Sequence, residues 1–132
     1  MMAKLESQSD LALLIGRLFY SSLFLLYGYF KVTAFSGTAT YMAAKGLPAP
    51  SLFAVLAIVF ELGGGILMLV GYQTRPVALA LAVYTLVAAL IAHTNFADAN
   101  QLTHFMKNMA IVGGSLAFFV SGAGAYSLDR RM

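Results

Sequence analysis

The stretch 51-SLFAVLAIVFELGGGILMLVG-71 decides the fold. It is apolar from end to end except for Glu61, and it is long enough to cross a bilayer, which takes about 20 predominantly apolar residues. Three more windows share this character. Leu11 to Phe30 is broken only by Arg17, Pro76 to Asn95 carries His93 near its end, and Phe105 to Ala123 carries Lys107 near its start. Four spans of about 20 residues leave only two short tails and three connections, with no room for a soluble domain.

Composition agrees. Of 132 residues 61% are hydrophobic and only 10% charged, against about 25% charged in a soluble domain. A soluble chain this small could not hide so much apolar surface from water, so lipid is the fitting solvent. Without Cys, disulfides, thiolate metal sites and thiol catalysis are excluded. The net charge of +3 does not indicate nucleic acid, because the Lys and Arg residues are scattered singly rather than set in a stripe.

Pro48 and Pro50 precede the second window, and Gly71, Gln73, Thr74 and Pro76 form a tight turn before the third. So short a turn makes those two spans antiparallel neighbours. The longer segment Lys31 to Pro50 contains a short helix, with Ser36 as its cap and Gly46 as its stop. The expectation is an all-α integral-membrane four-helix bundle, one domain over residues 1–132, with a short interfacial helix or flap between helices 1 and 2.

Arg17 and two acidic residues before it, Glu6 and Asp10, argue against a cleavable signal peptide. For orientation, Lys4, Arg75, Arg130 and Arg131 fall on one side, and Lys31, Lys45 and Lys107 on the other. The Arg130–Arg131 pair beside the last helix tips the balance, and both termini are expected in the cytoplasm.

Only Arg17, Glu61 and Lys107 place charge inside the spans. Each costs about 2.5–3.5 kcal/mol at mid-helix, so each should face the bundle interior and find a partner. The faces fit. Arg17, Ser21, Phe24, Gly28 and Lys31 form one helical stripe; Ala54, Ala57, Gly64, Gly65 and Met68 share the face of Glu61; Lys107, Ala110, Ile111, Gly114, Phe118 and Ser121 form a third. From the window edges, Arg17 and Glu61 lie about 6 Å apart in depth, within reach of each other. A structural Arg17–Glu61 ion pair is the expectation, with a proton-linked or ligand-binding role for Glu61 as the competing reading. The run Gly63–Gly65 is a packing device, since no Lys-Ser/Thr follows it as in a phosphate loop.

Lys31, His93, Asn95, His104, Lys107 and Asn108 gather at the end away from the termini. The candidate ligand-binding or buried polar residues are Arg17, Lys31, Glu61, His93, Asn95, Lys107 and Asn108; catalytic residues are not specified. His93 and His104 have no third partner that would fix a metal or haem, and no metal site is expected. Tyr84 and His93, nine residues apart, face opposite sides of a helix, so at most one of them points into a central pocket.

Arg17, Gly28-Tyr29-Phe30-Lys31, Glu61-Leu62-Gly63-Gly64-Gly65, His93-Thr94-Asn95-Phe96 and Phe105-Met106-Lys107-Asn108 together resemble the DoxX family. The sequence is similar in particular to its short, YqjF-like inner-membrane branch, including the tail Gly124 to Arg130. The resemblance implies a four-helix protein of the bacterial cytoplasmic membrane. Some members of the family are subunits of thiosulfate:quinone oxidoreductase, and others assemble with redox enzymes. Thiol chemistry found in relatives cannot carry over to a chain without Cys. The expected function is a quinone- or hydrophobic-ligand-binding accessory subunit of a membrane redox system, with quinone as the cofactor. The alternatives are a non-catalytic scaffold or assembly factor, and a small proton-linked transporter. The partners in view are the bilayer, a redox enzyme and a second copy in a homo-oligomer.

Overall fold

The computed structural model describes residues 2–131, with side chains described for residues 7–130. The side chains of Lys4, Glu6 and Arg131, which entered the sequence reading, lie outside the described residues. The order of elements is α1 (Met2–Thr33), α2 (Phe35–Ala44), α3 (Pro50–Ile58), a π-helical turn (Val59–Gly63), α4 (Gly64–Val70), α5 (Thr74–Ala92), α6 (Ala99–Ser121) and α7 (Leu128–Arg131). There is no strand among the described residues. α3, the π turn and α4 run on as one rod.

Three helices are long and apolar enough to cross a membrane: Ser7–Thr33, Pro50–Val70 and Thr74–Ala92. α6 is a fourth long helix of 23 residues, polar in its first turns. Large apolar side chains point outward on all four, among them Phe19 at 74% exposure and Val120 at 75%. A surface so apolar is covered by lipid rather than water. The buried core is narrow and is centred on a cluster of Phe24, Met68, Ala78, Leu81 and Phe118.

The inward stripe of α1 is the one read from the sequence: Arg17, Ser21 and Phe24 are buried. So are Ala54, Ala57, Glu61 and Met68 on the rod. α6 departs from expectation. Its buried residues are Ser115 and Phe118, while Ala110 and Ser121 are exposed. Ser115 anchors the face by hydrogen bonding to the Tyr20 hydroxyl.

Glycines set the spacing of the rods. A Cβ on Gly64 would meet Leu81 of α5 at 2.8 Å, and one on Gly65 would meet Leu25 of α1 at 3.0 Å. Gly28 repeats the arrangement from α1, where an added Cβ would meet Leu62 at 2.8 Å and the Glu61 Cβ at 3.2 Å. These contacts make the α1–rod pair antiparallel in a fixed register, with Glu61 level with Gly28.

α2 buries none of its residues. Ser36 does not cap it: Ala34 occupies the N-cap, with no side-chain cap bond. The stop is as read. Gly46 at φ 79° donates to Ala43 O at 3.0 Å, and Leu47 N donates to Met42 O at 3.2 Å, a Schellman closure.

Candidate functional site

Arg17 and Glu61 are both buried, and they are not partners. The register places Glu61 beside Gly28, eleven residues from Arg17, which is about 16 Å along α1. The expected pair is therefore corrected. The depth estimate failed because it aligned the ends of the apolar windows, whereas glycine contacts set the register and slide the rod toward the far end of α1.

Arg17, at 0% exposure, binds backbone only. Its Nη1 donates to Met68 O at 3.0 Å and Leu69 O at 2.9 Å, its Nε to Ala123 O at 3.2 Å, and its Nη2 to Tyr126 O. Met68 and Leu69 carry carbonyls of the last turn of α4 that the helix itself leaves open. A cation there also meets the negative end of the helix dipole. Arg17 is thus a C-cap supplied by another helix, and it clamps the C-terminal tail at the same time. Gly71, with φ 71°, leaves room for the guanidinium.

The tail returns the favour at the start of α5. The N-cap of α5, Gln73, is left-handed at φ 52° and gives no side-chain cap bond. Asp129 supplies the cap from the tail: its carboxylate accepts from Gln73 N at 2.7 Å and Thr74 N at 3.0 Å. Burial disfavours the charged form of Asp129. Donors from Thr74 and Gln73 and the charge of Arg17 outweigh it, and hold its pKa below the ordinary carboxylate value. Asp10 adds a further tie by accepting from Ala125 N at 3.0 Å. A cleft of about 500 Å³ opens at this end, among Asp10, Arg75, Asp129 and Arg130.

The chemistry around Glu61 lies deeper and toward the other end. Glu61 is 5% exposed and sits in the π turn Val59–Gly63. Lys31 Nζ donates to its Oε1 at 2.9 Å, and the Tyr84 hydroxyl donates to its Oε2. The Tyr84 ring stacks on Phe60 at 5.1 Å with 13° between planes, which fixes where the hydroxyl points. Both carboxylate oxygens are therefore engaged, one by an ammonium and one by a phenol. π turns inside α-helices recur at functional sites.

From this triad a row of bases leads to the bundle end. Lys31 Nζ lies 6.0 Å and Lys107 Nζ 5.2 Å from the centroid of the Tyr27 ring. Lys107 Nζ is 3.5 Å from His104 Nδ1, and His104 stacks on His93 at 5.0 Å. Lys31, Glu61, His93 and Lys107 are thereby brought together. Asn108 is half-buried on α6. Asn95 is exposed, and its backbone N–H donates to Gln101 Oε1 at 3.1 Å, so it shapes the loop. Of Tyr84 and His93, the tyrosine is the one that reaches the buried carboxylate.

The sequence reads Tyr84 as a belt or core residue that competes with His93 for a central pocket, and gives no site role to Asp10 or Asp129. For Asp129 the sequence carries no signal, because Thr74 before Arg75-Pro76 reads as a cap of its own, whereas the structure puts Gln73 at the N-cap.

The DoxX family model matches residues 12–94, more than half of the chain and inclusive of Arg17, Lys31, Glu61 and Tyr84. The chain belongs to the DoxX family. It is 43% identical to the inner membrane protein YqjF of Escherichia coli K12 over 129 residues, covering 98% of this chain and 95% of that one. It is 40% identical to the inner membrane protein YphA of the same organism over 124 residues, covering 90% and 89%. No solved structure matches it.

Proposed function

We propose that this DoxX-family protein is an accessory subunit of a redox system in the bacterial inner membrane, and that it binds a quinone or a similar hydrophobic ligand beside Glu61. One observation carries the reading. A carboxylate 5% exposed is held on a π turn between an ammonium and a phenol. Carboxylates inside membrane spans mark ligand sites and proton relays, which is what a ligand that takes up protons on reduction requires. Tyr27, 43% exposed, and Phe60, 37% exposed, flank the site with aromatic surface that opens toward the lipid. In this reading α6 is the fourth span, and both termini lie in the cytoplasm.

The test is retention of quinone. Protein purified in lipid nanodiscs from quinone-replete membranes is expected to carry quinone, and Glu61→Gln and Tyr84→Phe are expected to lose it while staying folded. A wild-type protein free of quinone that co-purifies with a stoichiometric protein partner would overturn this reading in favour of the scaffold.

A further inference from the structure

The row of bases beyond Glu61 has a charge imbalance that specifies the ligand more closely. Lys31 is paired with Glu61 at 2.9 Å. Lys45 donates to Ala92 O at 3.1 Å, a carbonyl at the C-terminal end of α5, where a cation is favoured. Asp98 is exposed and accepts from Asn100 N as the N-cap of α6. Lys107 is the cation left over. It is half-buried and has no carboxylate within 4.0 Å among the described residues, where Lys31–Glu61 is the salt bridge found.

What surrounds Lys107 is nitrogen rather than carboxylate. Its ammonium faces His104 Nδ1 at 3.5 Å. The ammoniums of Lys31 and Lys107 both lie near the Tyr27 ring, at 6.0 and 5.2 Å from its centroid. The two ammoniums repel each other, and with Glu61 as their one nearby carboxylate among the described residues the group keeps a net positive charge. A negative charge set between them would relieve it.

Building on the ligand-binding reading, we infer that Lys31, Lys107 and His104 form a head-group site for an anion carried on an apolar body: an ionised phenol, enol or carboxylate, or the phosphate of a lipid. The head would lie between the two ammoniums, and the apolar body would follow the Tyr27 ring into the lipid.

The probe is an alkyl hydroxynaphthoquinone, ionised at neutral pH, compared with its neutral methyl ether. Both are titrated onto the full chain in phosphatidylcholine nanodiscs. The acid is expected to bind about tenfold tighter than the ether. Lys107→Gln is expected to abolish that advantage, and Lys107→Arg to keep it, with both variants checked for folding by their thermal transitions. Equal binding of acid and ether, or an advantage that survives Lys107→Gln, overturns the anion site. Ether binding without acid preference leaves the hydrophobic-ligand reading standing, whereas no binding of either probe removes both. Once the preference is established, displacement of the acid by phosphatidylglycerol in the disc assigns the site to a lipid head group, and no displacement assigns it to a free amphiphile.

Discussion

Arg17 and Glu61 show how two buried charges in one small protein can have unlike roles. Arg17 completes backbone hydrogen bonds at the end of α4 and holds the tail. Glu61 is held by side chains, between Lys31 and Tyr84. A double-mutant cycle separates the two cases. Glu61→Gln and Lys31→Gln should couple by about 0.5–3 kcal/mol, while Glu61→Gln and Arg17→Gln should add within about 0.5 kcal/mol. Coupling between Glu61 and Arg17 in thermal or denaturant unfolding would contradict the register. Arg17→Gln alone should cost about 1–3 kcal/mol for each buried carbonyl it strands. That one face of α1 carries Arg17, Ser21, Phe24, Gly28 and Lys31 was legible, because helical period fixes it. Which partner each residue meets was not legible. That depends on the register between helices, which hydropathy windows locate only to within a turn or two.

At the scale of elements, the run Gly63-Gly64-Gly65 has an uneven job. Gly64 faces Leu81 of α5 and Gly65 faces Leu25 of α1, while Gly63 has nothing within 4 Å. Packing through small residues is how membrane helices approach closely. Gly64→Ala should therefore destabilise by about 1–3 kcal/mol, because Leu81 is itself buried and cannot yield without cost. Gly63→Ala should be close to neutral, and equal losses from the two would refute the assigned faces. The packing role of this run was readable from the sequence. The π turn just before it was not, because one residue inserted into a helical turn leaves no mark in an apolar run. The Asp129 cap of α5 gives a pH-dependent prediction at the same scale. Its pKa is lower folded than free, so its contribution is complete at neutral pH, above the free carboxylate value of about 3.9. It is lost as pH falls through the lower folded value. Proteolysis of the tail should accelerate in that acid range, and Asp129→Asn should show the faster cleavage already at pH 7.

For the molecule as a whole, contacts tie three separate parts of the chain to one end. Asp10 binds Ala125, Asp129 N donates to Gly71 O at 2.9 Å, and Arg17 binds Tyr126. The N-terminal part of α1, the turn before α5 and the C-terminal tail therefore share a side, and Lys31, Lys45, His93 and His104 lie toward the opposite end. The proposed orientation rests on the charges near the span ends, four at the end of the termini against Lys31, Lys45 and Lys107 at the other. Arg75 and Arg130, with Lys4 and Arg131 in the sequence, mark the end of the termini, and positive residues flanking spans are retained on the cytoplasmic side. The His–Lys end would then face the periplasm, and the site at Glu61 would be reached from that side and from the lipid. A fluorescent-protein fusion at Met132 should glow, since that fold matures in the cytoplasm. An alkaline phosphatase inserted in the loop at Gly46 or Asn95 should be active, since its disulfides form only outside. Phosphatase activity at Met132, in a chain whose tail still resists protease, would reverse the orientation. It would also place the donor cluster of Lys31, Lys107 and His104 on the cytoplasmic face, where a redox partner would have to be a soluble or peripheral protein of that compartment.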